Sequence, residues 1–160
     1  HSQKNVYLIA DAYNGKYIKE CIIDFLNATA GIDKDTIHIE KKVIGIKGYA
    51  KLVSYTGHDG LMEFYLPEEF ENIDGKQRDV IILACYSKEF FGPYIKQAKA
   101  NPLVWTTHLM GPEAYTTHDA IKVYLNGGEA EAIRSAAAKA YSKYTKCSLS
   151  AARNLLVTGF

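Results

Sequence analysis

Five residues in a row, Val80-Ile81-Ile82-Leu83-Ala84, carry no polar side chain, and a cysteine follows at once. A strand of that kind has no face to offer to water, so it belongs inside a sheet covered on both sides. A sheet with one wet face would give alternation instead. The run therefore points to a mostly parallel sheet with helices on either face, a three-layer α/β/α domain.

The rest of the chain supplies matching elements. Val6-Tyr7-Leu8-Ile9-Ala10 and Leu52-Val53-Ser54-Tyr55-Thr56 read as further strands, as does Leu103 to Thr107. Thr36 to Ile44 alternates and reads as one more exposed strand. Leu61 to Leu66 reads as a short strand or hairpin arm, with a polar connection from Pro67 to Gln77. Helical spacing of Tyr17, Ile18, Cys21, Ile22, Phe25 and Leu26 predicts a helix closing near Gly31. Others are expected from near Pro93 to Ala100, from Gly111-Pro112-Glu113 to Leu125, from Glu129 to about Tyr144, and from Ser148 to Leu156. No repeat or linker divides the sequence, so residues 1–160 read as one domain.

Composition removes several classes of function. A net charge of +1 and a hydrophobic share of 48 % describe an ordinary folded protein, not a disordered or nucleic-acid-tracking one. No basic run is interleaved with aromatics, and no apolar stretch nears the roughly 20 residues that span a bilayer. The three cysteines, Cys21, Cys85 and Cys147, lie far apart and suggest no metal set, so neither metal nor cofactor is expected. Cys21 falls on the apolar face of the first helix and Cys147 next to a helix cap. No signal-peptide pattern precedes the first strand, and the compartment stays open, a mature secreted or periplasmic form included.

Ligands of open parallel sheets meet the carboxyl ends of the strands. Three such ends carry polar or reactive groups: Asp11 to Asn14, Gly57-His58-Asp59-Gly60, and Cys85-Tyr86-Ser87. A histidine after one buried strand and a cysteine after the next would stand side by side. A nucleophilic thiol needs that neighbour, because imidazole must hold or take its proton. Flanking glycines admit a substrate backbone and leave main-chain N–H groups for an oxyanion.

An apolar strand ending in a His-Gly loop, then an apolar strand ending in Ala-Cys, resembles the caspase-like cysteine peptidases: caspases, legumain, gingipains and clostripain. The stretches that carry the likeness are Leu52 to Gly60 and Val80 to Ser87. The chain also looks like small bacterial proteins with similar Gly-His-(Asn/Asp)-Gly-Leu-Met and Ala-Cys segments. The resemblance implies a caspase-like fold, His58 as general base and acid, and Cys85 as nucleophile. It implies an oxyanion hole from the backbone N–H of Cys85 and one from Asp59-Gly60. Asn14 or Asp11 would then support the histidine. Where these peptidases have Gly after His, this chain has Asp59, whose side chain is expected to crowd that hole. Tyr86, His108 and Glu113 are candidates for lining a substrate pocket, and a peptide or protein would be the substrate.

Two other readings compete. One is a caspase-like domain that no longer cuts and serves as a binding or scaffold module. The other is a flavodoxin-like small-molecule or anion binder using the helix start at Asn14-Gly15-Lys16.

Overall fold

The computed structural model describes residues 5–160. The Asn14 side chain accepts the Lys16 N–H at 3.1 Å and starts a 3-10 turn over Gly15–Tyr17, which runs into helix α1, Ile18–Ala30. Ile22, Phe25 and Leu26 form its buried stripe. The helix ends on Gly31 at φ +77°, where a Cβ would meet the Arg78 guanidinium at 2.7 Å. Only glycine takes both that backbone and that proximity.

Strands β1, Lys34–Ile39, and β2, Lys42–Lys47, form an antiparallel hairpin with Ile37 opposite Ile44. The single strand expected over Thr36 to Ile44 is thus two. Its alternation is real, but the chain reverses after Ile39, with Glu40 at φ +54°. Strand β3, Leu52–Thr56, follows, and β4, Asp79–Leu83, pairs with it in parallel register from Leu52–Asp79 to Thr56–Leu83. Helix α2, Ser87–Gln97, then leads to β5, Asn101–Thr106, parallel to β4. Helices α3, Ala114–Leu125, α4, Ala130–Thr145, and α5, Leu149–Leu155, precede a two-residue strand β6, Leu156–Val157. This last strand is antiparallel to β5 and ends a sheet of order β3-β4-β5-β6.

The architecture is mixed α/β with a four-stranded, mostly parallel sheet and a separate hairpin. The apolar run feeds two cores, as a doubly covered strand should. Val80, Ile82 and Ala84 join a cluster with Ile22, Phe25 and Leu26 of α1 and Phe91 and Ile95 of α2. Ile81 and Leu83 join another with Ala120 of α3, Ile133 and Ala137 of α4, and Leu155 of α5.

Three further expectations are corrected. Val6 to Ala10 is not a strand: it lies exposed, with no pairing partner among the described residues. Leu61 to Leu66 is a 3-10 turn over Gly60–Met62 and irregular chain, because side chains take its N–H groups, Asp59 that of Leu61 and Tyr94 that of Leu66. Helix α2 begins right after the cysteine loop, well before Pro93, which sits inside it. The ring forfeits one helical hydrogen bond there, a cost met by burying Phe91, Tyr94 and Ile95.

At the amino edge of the sheet, Arg78 is buried. It donates to the Gly48 and Lys76 carbonyls and to Asp74, which also binds Lys34 at 2.8 Å. The two cations hold the Asp74 carboxyl well below the usual carboxylate range.

Candidate active site

The β3–β4 register decides what stands at the carboxyl edge. Pairing continues one step past β3, with the Gly57 N–H donating to the Leu83 carbonyl at 3.1 Å. His58 and Cys85 therefore leave neighbouring strands at the same level, as the sequence predicts. Their side chains are engaged elsewhere. His58 Nε2 lies 2.7 Å from Glu63 Oε1, and both residues are exposed. The Cys85 thiol is half-buried and gripped by one residue: the Met110 N–H reaches Sγ at 3.4 Å, and Sγ donates to the Met110 carbonyl at 3.6 Å. No hydrogen bond joins His58 to Cys85 among the described residues.

Glu63 is the site residue that sequence reasoning missed. The turn that delivers it is legible only in hindsight: Asp59 accepts the Leu61 N–H at 3.0 Å, folding Gly60–Met62 into a tight turn that brings residue 63 back to residue 58. A carboxylate only accepts, so Nε2 is the donor in this pair, and the acceptor nitrogen of the ring in its neutral form is Nδ1.

The Asp59 side chain does not stand in the loop opening. It is turned inward, fully buried, with Oδ1 on its own turn and Oδ2 without a hydrogen-bond partner among the described residues. Burial pushes its pKa up to about 6. The expected crowding of the oxyanion turn by this carboxylate is therefore not what the structure shows. The backbone N–H groups of Asp59, Gly60 and Cys85 have no acceptor among the described residues, whereas those of Tyr86 and Ser87 are taken by the His108 carbonyl and Thr106 Oγ1.

Tyr86 forms a sharp strand-to-helix elbow at φ +47°, and its ring lies 5.8 Å from that of His108. His108 Nδ1 is 2.9 Å from Thr107 Oγ1, and the loop holding Thr107 to Met110 folds against Cys85 from the side opposite His58. Tyr86 and His108 thus flank the cysteine. Glu113 does not join them by any hydrogen bond; it is exposed at the N-terminus of α3 and its side chain caps nothing.

The expected supports for the histidine are also elsewhere. Asp11 and Asn14 are exposed, and the Asn14 oxygen is spent on Lys16. That bond occupies a donor the anion-binding reading needs. Cys21 is half-buried against the α1–α2 core, where burial raises its thiol pKa, and Cys147 precedes Ser148, which caps α5 through Ala151 N–H at 3.1 Å. Among the described residues no group of His, Cys, Asp and Glu is placed to hold a metal, and no helix is long and apolar enough to cross a membrane. No family model, curated protein or solved structure matches the chain.

Proposed function

We propose that this chain is a caspase-like, three-layer α/β/α domain acting as a cysteine peptidase, with Cys85 as nucleophile and His58 as its base. The observation that carries the reading is the parallel register that sends His58 and Cys85 out of adjacent strands at one level, beside unclaimed backbone N–H groups. Glu63 holds Nε2, so Nδ1 is the nitrogen that receives the thiol proton. Attack of the thiolate on a peptide carbonyl forms a tetrahedral oxyanion, which the N–H groups of Cys85 and Gly60 receive. The proton on His58 passes to the leaving amine, giving a thioester on Cys85. Water, deprotonated by the same imidazole, then releases the acid and restores the thiol. For the cycle to begin, Sγ must leave Met110 and turn to His58, the step a bound peptide would drive by displacing the Thr107–Met110 loop.

The grip of Met110 on the thiol favours a second reading, a catalytically silent module that binds peptides at the same edge. Iodoacetamide labelling separates the two. Under the peptidase reading, Cys85 alkylates readily near neutral pH, His58→Ala slows it at least about tenfold, and a peptide library is cut by the wild type but not by Cys85→Ala. Labelling that is indifferent to His58, with no cleavage, leaves the binding module.

A further inference from the structure

Between residues 61–65 and helix α2 lies a cavity of about 440 Å³ that no step of the proposed cycle uses. The tight turn at Gly60–Met62 sets Phe64 and Tyr65 across from one stripe of α2, Glu89, Pro93 and Gln97, spaced i, i+4 and i+8. Phe90 and Tyr94, one position on, complete an aromatic floor with Phe64. The two walls are fixed to each other. The Tyr94 hydroxyl accepts the Leu66 N–H at 3.2 Å and donates to the Leu66 carbonyl at 3.3 Å, and Gln97 Oε1 accepts the Phe70 N–H at 3.2 Å.

The charge around this groove has one sign. Glu63 and Glu89 stand at its rim, both exposed. His58 engages one Glu63 oxygen, and Glu89 forms no ion pair among the described residues. The lysines of α2 are engaged away from the groove, Lys88 over the Trp105 ring and Lys96 over that of Phe160, each at 5.5 Å. Glu68, Glu69 and Glu71 follow, all exposed, with no basic residue before Lys76, so a cation is drawn to this side. An aromatic floor under an anionic rim complements a side chain with a long apolar stem and a cationic head. Arginine fits best, because its planar guanidinium stacks on an aromatic ring while forking to a carboxylate.

We infer that the groove is a specificity subsite for an arginine of the substrate, in the half that leaves as the amine. The choice of half rests on the peptidase reading. His58 gives its proton to the leaving amine, so the chain beyond the cut departs on the His58 side, and Glu63 links His58 to the groove. The other side of Cys85 is taken by the Thr107–Met110 loop.

Fluorescence anisotropy with the whole chain carrying Cys85→Ala tests binding apart from cleavage. The probes are labelled alanine-based hexapeptides that differ only in arginine, glutamine or glutamate at the fourth position. The arginine peptide should bind at least about tenfold tighter than the glutamine one, with glutamate weakest. Adding Glu89→Gln, an exposed change outside the residues of the cycle, should weaken the arginine peptide about fivefold and leave the glutamine peptide unchanged. Cleavage by the wild type, read by mass spectrometry, should leave arginine in the carboxyl-terminal product. Equal binding of the arginine and glutamine peptides, or an arginine preference indifferent to Glu89→Gln, overturns the subsite. So does cleavage that leaves arginine at the end of the amino-terminal product. A wild-type dimer that Glu89→Gln dissociates also overturns it, since the groove would then hold a second copy. Arginine preference that Glu89→Gln removes, with no cleavage by the wild type, retains the groove as a cation site and sinks the peptidase reading alone. Cleavage without arginine preference does the reverse.

Discussion

Replacing Asp59 by asparagine should shift the stability difference from wild type in the variant's favour as pH rises from mild acid to neutral. The carboxyl is fully buried, with one oxygen on the Leu61 N–H and the other unpartnered among the described residues, and its pKa rises from 3.8 to about 6. A raised carboxyl pKa means the folded state keeps a proton that the unfolded chain has released. Stability therefore falls as pH climbs from the unfolded to the folded value, and the full penalty stands above the folded one. At about 1.4 kcal/mol per unit, two units amount to roughly 3 kcal/mol, of which about 2 kcal/mol accrues between about pH 4.5 and about pH 7.5. Asparagine keeps the Oδ1 acceptor and loses the charge. Its amide N–H₂, in the place of the unpartnered oxygen, carries a pH-independent cost that cancels when the two pH values are compared. Urea unfolding of wild type and Asp59→Asn at both values should thus show the variant gaining about 2 kcal/mol relative to wild type as pH rises. An unchanged difference, or one that moves against the variant, would refute the picture of an uncompensated buried charge.

The Asp74 carboxyl behaves in the opposite sense. Its pKa is depressed by Arg78 and Lys34, so its contribution stands above the unfolded value and is lost as pH falls toward the folded one; acid titration of stability should show the loss, and Asp74→Asn should remove it. Because Arg78 is buried, Asp74→Asn should cost about 2–3 kcal/mol in urea unfolding at neutral pH. Glu63→Gln should slow alkylation of Cys85 about fivefold to tenfold, with less loss in Glu63→Asp, while urea midpoints stay nearly fixed because the pair is exposed. Gly31→Ala should lower stability by about 1–3 kcal/mol in the same assay, since the added methyl meets both a left-handed backbone and the Arg78 guanidinium.

What could be read from the residues was what periodicity and turn chemistry encode locally. Val80 to Ala84 announced its two-sided burial, and α1 announced its stripe and its glycine stop. The shared edge of His58 and Cys85 followed from two strand ends and the parallel sheet. What escaped depended on partners distant in sequence. Nothing in Leu156-Val157 says that it pairs with Trp105 and Thr106, and nothing in Met110 says that its backbone will hold a thiol 25 positions earlier. The turn that carries Glu63 back to His58 rests on the Asp59 side chain facing inward, a choice made by burial and not by spacing. Alternation in Thr36 to Ile44 was right about faces and silent about the reversal in its middle.

The elbow at Tyr86 sets a limit on how this domain can be improved. A tyrosine in the left-handed region stores roughly 1 kcal/mol that a glycine would release. A glycine would keep the backbone N–H on the His108 carbonyl at 3.0 Å but lose the Tyr86 ring, which lies 5.8 Å from that of His108 in the loop beside Cys85. Selection for heat resistance alone would favour glycine there, and would pay with a looser cover on the thiol. Retaining the bulky residue trades robustness for alignment, so variants hardened at this elbow should be screened for precision of the cysteine as well as for melting temperature.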